Sequence, residues 1–347
     1  MENFGFRLPD GAELISHTGD EIKMTVAIPT DQDGFFGRQC PGCSRLFRID
    51  ADDYEALPDE VELWCVYCGH HAEHSEFITQ QQLDRATRAM GDYAVQMIGQ
   101  QLDSTLSGLF GSSRPPRSSR GGFGVEFSFQ PGPPFVPQPL PGIDEERLIR
   151  IRSCAGCGLR YAVFADHRFC PQCGQLPAKT VAEDALAAET ARLDALTQVP
   201  EQAAAALREQ GAFDRILTDT LSNVAGIVET LAGAAFRTAV PNSNQLLVGK
   251  GNVFQRLDHA ADLFVTAGYP DLRTLLDAAT WQRLLETWAK RHVFIHNDGM
   301  VDSKYLTKVP ASTSRIGQRL AVTEPECRQV IADTRALCTA IATIFNL

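Results

Sequence analysis

A chain of 347 residues, 44% hydrophobic and 22% charged, has the composition of a folded globular protein and the length of two or three domains. Its net charge of −11 argues against general duplex-nucleic-acid binding, because that affinity comes from Lys and Arg neutralising phosphates. The most apolar run, 224–240, is broken by Glu229 and Arg237, so no segment reaches the roughly 18 uninterrupted apolar residues of a membrane helix. The start, Met1-Glu2-Asn3, has no basic n-region and no apolar h-region of a secretory signal. The expectation is a cytoplasmic protein with no membrane partner. The charge is uneven: residues 1–110 hold 7 Lys+Arg against 19 Asp+Glu, whereas residues 111–180 hold 9 against 5.

Residues 1–78 read as a strand segment followed by a first four-cysteine module. The alternation in Ile22-Lys23-Met24-Thr25-Val26-Ala27-Ile28 predicts a strand. Two pairs follow, Cys40-Pro-Gly-Cys43 and, 21 residues later, Cys65-Val-Tyr-Cys68. Residues 79–110 read as one long helix with an imperfect stripe of Met90, Val95, Ile98, Leu102 and Leu106. Residues 111–143, dense in Pro, Gly and Ser, read as an extended, largely disordered linker. It carries Arg114, Arg117 and Arg120, and an unusual set of Phe123, Phe127, Phe129 and Phe135. Residues 144–178 hold the second module, Cys154-Ala-Gly-Cys157 and, 12 residues later, Cys170-Pro-Gln-Cys173.

Paired thiolates on two tight turns can converge as four sulfurs around one tetrahedral ion, about 2.3 Å from zinc. Gly69, Gly158 and Gly174 directly follow the second cysteine of a pair, where a left-handed turn aims backbone N–H groups at sulfur. The expected metal ligands are therefore Cys40, Cys43, Cys65 and Cys68 for one zinc ion, and Cys154, Cys157, Cys170 and Cys173 for a second. Iron is the alternative, since thiolates alone do not separate the two. A thioredoxin-like redox pair would need a single such motif at a helix start in a βαβ setting. Four thiolates close the shell, so both ions are structural, and both modules resemble zinc ribbons. His70, His71 and His74 beside the first module read as exposed turn residues.

Residues 179–347 read as helical, with segments at 181–198, 200–210, 213–240, 252–267, 280–297 and 324–345. Pro200 is placed as a first helical residue, Asn252 as a cap and Gly299 as a terminator. Four helices of 16 to 28 residues predict an antiparallel bundle. Cys327 and Cys338 share one face of the last helix and read as small core residues. The fold class is thus multidomain: two small β-rich ribbons and an all-α C-terminal bundle.

The segment Arg291-His292-Val293-Phe294-Ile295-His296-Asn297-Asp298-Gly299 ends the third bundle helix. Arg291, four residues, then His296 resembles the Arg-x4–6-His motif of the HEPN superfamily, and the resemblance spans roughly residues 213–347. It implies metal-independent endoribonuclease activity on RNA, with His296 as acid or base at a ribose 2′-OH or leaving 5′-oxygen and Arg291 stabilising phosphate charge. Such proteins act in prokaryotic defence and toxin systems, so the implied role is an antiphage-defence or stress effector regulated through its ribbons. At 100° per residue Arg291 and His296 lie about 140° apart, which asks for a second copy of the helix and hence a homodimer or higher even oligomer. Trp281, Leu284, Leu285, Trp288 and Ile295 read as the apolar face, with His292 inside it as a buried or orienting histidine. Asn297 and Glu286 are possible supporting residues, Asp262 another acid, and Glu286 also suits an i,i+4 pair with Lys290. The competing readings are a non-catalytic HEPN-like dimerisation or binding module, and a zinc-ribbon adaptor for protein or nucleic acid.

Overall fold

The computed structural model describes residues 6–19, 21–58, 60–110, 135–146, 148, 150–164 and 167–347. Arg114, Arg117, Arg120, Phe123, Phe127 and Phe129 of the expected linker lie outside them. The chain forms two compact units, Met1–Phe164 and Ala165–Leu347. Among the described residues no helix is long and apolar enough to cross a membrane.

The first unit opens with an antiparallel hairpin, β1 (Ala12–Thr18) and β2 (Glu21–Val26), whose register slips between Leu14 and Ser16. Next come β3 (Phe35–Gln39), β4 (Leu46–Asp50), the short α1 (Ala51–Glu55), β5 (Leu63–Trp64), β6 (His71–Ala72), α2 (Gln80–Phe110), β7 (Arg150–Ser153) and β8 (Arg160–Val163). β3, β4, β8 and β7 form one antiparallel sheet in that order, so hairpins from the two cysteine-bearing regions are joined edge to edge. Arg48 faces Ala162 and Ile49 faces Tyr161 across the junction. A lone two-stranded hairpin is marginal in water, whereas the joined sheet buries Phe47, Ile49, Tyr161 and Ala162 to 1% exposure or less.

Much of this unit's interior is polar and centred on arginines. The Arg48 side chain, 5% exposed, pairs with Asp31 at 2.7 Å and donates to the backbone carbonyls of Glu145 (2.9 Å) and Glu146 (3.1 Å). Arg160 reaches Asp50 at 2.7 Å and Asp53 at 3.1 Å, and Arg38 donates to Gln82 and Tyr54. α2 starts with a reciprocal capping box: Thr79 N–H donates to Gln82 Oε1 and Gln82 N–H to Thr79 Oγ1. Its expected apolar stripe faces solvent, with Met90, Val95, Ile98 and Leu102 all 40% exposed or more. The buried face is instead Gln82, Ala89, Asp92, Tyr93 and Gln96. The polar members meet backbone: Gln82 donates to the Gly37 carbonyl, and Gln96 both accepts from Arg7 N–H and donates to its carbonyl. Residues 135–146, part of the expected linker, run without regular structure along α2. Arg85 donates to the Pro141 carbonyl, Asp92 accepts from Gln138 N–H, and Gln81 and Asp144 bond each other twice.

The second unit begins with the two-residue strands β9 (Phe169–Cys170) and β10 (Gly174–Gln175). Helices follow: α3 (Ala178–Thr197), α4 (Glu201–Glu209), α5 (Ala212–Ala239), α6 (Ser243–Leu247), α7 (Leu257–Thr266), α8 (Ala278–His296), α9 (Ser303–Lys308) and α10 (Glu324–Phe345). The expected helix at 252–267 is broken: Val253–Gln255 is a 3-10 turn, and Asn252 makes no side-chain cap. Pro200 precedes α4 rather than opening it. Asp277 and Thr323 cap α8 and α10 by accepting backbone N–H groups. α3, α5, α8 and α10 share one apolar core that contains Leu186, Leu221, Phe236, Leu284, Leu337 and Ile341. The rings of Phe236, Phe254, Phe264 and Phe345 stack through it, and Cys327 and Cys338 are buried there as expected of small apolar side chains.

Candidate metal centres and the Arg–His helix end

The first four sulfurs are brought together by two knuckles. Cys40-Pro-Gly-Cys43 turns back on itself with Ser44 N–H donating to the Cys40 carbonyl at 2.8 Å, and Cys65-Val-Tyr-Cys68 with Gly69 N–H donating to the Cys65 carbonyl at 3.1 Å. Each knuckle ends in the left-handed region, at φ 59° for Ser44, 74° for Gly69, 83° for Gly158 and 77° for Gly174. The sequence places glycine at three of these positions, and Ser44 adopts the same geometry with a Cβ.

Cys40 and Cys68 sulfurs lie 3.6 Å apart, Cys43 and Cys65 sulfurs 3.7 Å. Four sulfurs at zinc–thiolate distance from one ion define a tetrahedron with edges of about 3.8 Å, so the spacing fits a metal. It is far from the roughly 2.05 Å of a disulfide. The sulfurs of Cys154, Cys157, Cys170 and Cys173 likewise lie within 4.8 Å of one another. Two four-cysteine groups are thus compatible with two zinc ions. Burial pushes the Cys65 thiol up, so an ion entering the first group has to displace a firmly held proton.

Of the neighbouring histidines, expected as exposed turn residues, His71 is exposed, whereas His70 and His74 are half-buried. His71 stacks on Trp64 with ring centroids 4.1 Å apart and meets Glu62 at 3.2 Å. His74 bonds Tyr54 Oη at 2.7 Å and the Val61 carbonyl, and half-buried His70 packs against Phe77. None belongs to a metal-ligand group among the described residues.

On α8 the buried stripe runs through Trp281, Leu284, Trp288, Ala289 and Val293. It drifts away from Ile295, which is 47% exposed and leaves the expected apolar face. α9 and the residues flanking it decide this: Val301, Tyr305 and Val309 form a small cluster with Ala289 and Val293 and draw that side of the helix inward. His292 is therefore exposed, contrary to the expected core position, and lies beside exposed His296 with ring centroids 4.6 Å apart. Partial desolvation of the His292 ring and the positive charges of His296, Lys308 and Lys304 hold its pKa below the ordinary histidine value, against a smaller opposing pull from Asp302.

Arg291 is half-buried, and its Nε is shut off from solvent without an acceptor. No acid pairs with its guanidinium among the described residues. Among the described residues His296 meets His292 and makes no hydrogen bond with Arg291. Asn297 is occupied structurally, its amide donating to the Met300 carbonyl in the turn that leaves α8. That turn needs glycine at 299: φ is 77°, and an added Cβ would stand 2.9 Å from Phe294. Lys290 pairs with Glu326 on α10 rather than with Glu286. Glu286 instead lines a polar cleft with Lys290, Ser312, Ser314, Gln318 and Arg319. Asp262 is held by Arg273 at 2.7 Å. A cavity of about 560 Å³ between α3 and α5 does not include Arg291 or the histidines.

Comparison with known protein families, with curated proteins and with solved structures finds no match for this chain. The HEPN resemblance rests on the motif and its place at the end of α8.

Proposed function

We propose that this protein is a metal-independent endoribonuclease that works as a homodimer, with Arg291 and His296 as its reacting groups and RNA as its substrate. One observation carries the reading: an arginine side chain with no acid partner, one turn from an exposed histidine at a helix end. An unpaired guanidinium keeps its fork available for phosphate oxygens, and a histidine transfers protons near neutral pH. Arg291 would stabilise charge on the pentacoordinate phosphate, and His296 would move a proton at the 2′- or 5′-oxygen, which leaves a 2′,3′-cyclic phosphate. DNA, without the 2′-OH, would not be cut. Because the two groups do not meet within one chain, two protomers would bring their α8 ends into one cleft.

The eight knuckle cysteines would hold two zinc ions that keep the modules folded and take no part in the reaction, as a closed thiolate shell leaves no position for substrate. The strongly acidic residues 1–110 are ill suited to RNA and would face a protein partner that controls an antiviral effector in the cytoplasm.

The test is cleavage of a mixed RNA pool by purified protein in EDTA too dilute to strip the thiolate sites. His296→Ala and Arg291→Ala are each expected to lower the rate about 10²–10⁴-fold with fold and oligomeric state unchanged. A monomer at micromolar concentration that still cuts RNA would remove the composite site. An inactive wild type with intact zinc would leave the binding-module reading in its place.

A further inference from the structure

We infer that His292 is a second catalytic residue of this site, the general base that takes the 2′-OH proton, and that His296 opposite it is the general acid that protonates the leaving 5′-oxygen. The assignment rests on the ribonuclease reading above and adds to it a division of labour within one helix end. Internal RNA cleavage needs two proton transfers on opposite sides of one phosphorus, so its base and acid must be close neighbours with independent access to the substrate. α8 meets that need by spacing alone: residues four apart stack on one face, and the two rings sit 4.6 Å apart with planes tilted by 51°. Both side chains are exposed, and neither ring makes a hydrogen bond or ion pair with a carboxylate among the described residues.

A structural histidine would be satisfied by a neighbour, as His74 is by Tyr54 and the Val61 carbonyl. This pair is not. The groups around His292 favour its neutral, proton-accepting form. Partial desolvation acts first, then His296 one turn along α8 and Lys308 and Lys304 on α9, with Asp302 at the start of α9 opposing them. The same two lysines and Arg291 offer positive charge to the phosphates on either side of the cut.

The step balances. His292 removes the proton from the ribose 2′-OH, the 2′-oxygen forms a bond to the adjacent phosphorus, and the bond from phosphorus to the 5′-oxygen breaks. Protonated His296 gives its proton to that 5′-oxygen. The products are a 2′,3′-cyclic phosphate and a free 5′-OH, and the two imidazoles have exchanged charge states, which solvent restores.

The assignment is tested with an RNA oligonucleotide carrying one bridging 5′-thio linkage, beside the same sequence with oxygen. A sulfur leaving group departs without a proton, so it removes the need for the acid but not for the base. On ordinary RNA, His292→Ala and His292→Gln should each lose about 10²–10⁴-fold in kcat with little change in KM or melting temperature, and should lose the acidic limb of the pH–rate profile. On the thio linkage His296→Ala should recover most of its loss and the His292 variants none. Recovery of His292→Ala by sulfur, wild-type rates in both His292 variants, or a change in KM alone would overturn the assignment while leaving the ribonuclease reading standing. A wild type that cuts neither substrate would end both.

Discussion

The two units are held together in opposite ways. In residues 165–347 long amphipathic helices bury a continuous apolar core, with Phe236, Phe264, Leu221 and Leu337 at its centre. In residues 1–164 the strands are short and many of the buried side chains are charged or polar: Arg38, Arg48, Asp50, Gln82, Asp92 and Gln96. A region built from hairpins of two to seven residues cannot bury enough apolar area to offset its chain entropy. Arginine-centred networks, and knuckles whose cysteine groups are compatible with metal, stand in place of that apolar core. The lesson is that similar chain lengths reach stability by different chemistry, and so fail under different insults.

The largest effect should come from the first four-cysteine group. Cys65→Ser removes a thiolate from a fully buried position, and most of the folding energy of the first module with it. We expect metal analysis to fall from two zinc ions per chain to one, with rapid proteolysis inside residues 35–77. Resistance of the helical unit to the same protease would confirm that the two depend on different forces, whereas loss of helical circular dichroism would break the contrast.

The next pair compares the two interiors directly. Arg48→Ala strands Asp31 and the carbonyls of Glu145 and Glu146 without their donor, at a cost of about 3–5 kcal/mol. Phe236→Ala opens a cavity in the apolar core at a similar cost of about 3–5 kcal/mol. The sharpening substitution is Arg48→Met with Asp31→Leu, which removes both charges and should recover part of the loss in urea denaturation. No substitution that leaves a hole at 236 should do so.

A smaller effect belongs to the turn after α8. Gly299→Ala forces a Cβ against Phe294 at positive φ and should cost about 1–3 kcal/mol in thermal melts. Because the same turn sets the end of the helix that carries His296, this variant should also lower RNA cleavage more than its stability loss accounts for.

How much of this was legible follows from the range of the forces involved. The knuckles could be read from Cys-x-x-Cys spacing because a four-residue turn and a thiolate are local, and three of the four left-handed positions announced themselves as glycine. The helices at 178–197, 212–239, 278–296 and 324–345 followed from periodicity within one or two turns of the expected ends. Arg291 and His296 were visible as a motif. His292 was misread: periodicity put it on the apolar face, but α9 packs against Ala289 and Val293 and rotates the buried stripe away from it. For α2 the apolar stripe was real in the sequence, yet the structure buries the polar side, because residues 135–146 and the backbone of Arg7 and Gly37 supply acceptors and donors there.

The sequence by itself determined the four-cysteine turns, the helical character of the C-terminal unit and the chemistry present at 291–296, since each depends on neighbours within a few residues. Only the tertiary structure decided that the strands of the two cysteine-bearing regions share one sheet, that arginines fill the first unit's interior, and that His292 stands exposed beside His296. The first two of those outcomes join residues far apart in the chain, such as Ile49 with Tyr161 and Arg48 with Glu145. Contacts at that separation are fixed by which surfaces exclude water and satisfy buried polar groups together, and no local pattern encodes the choice.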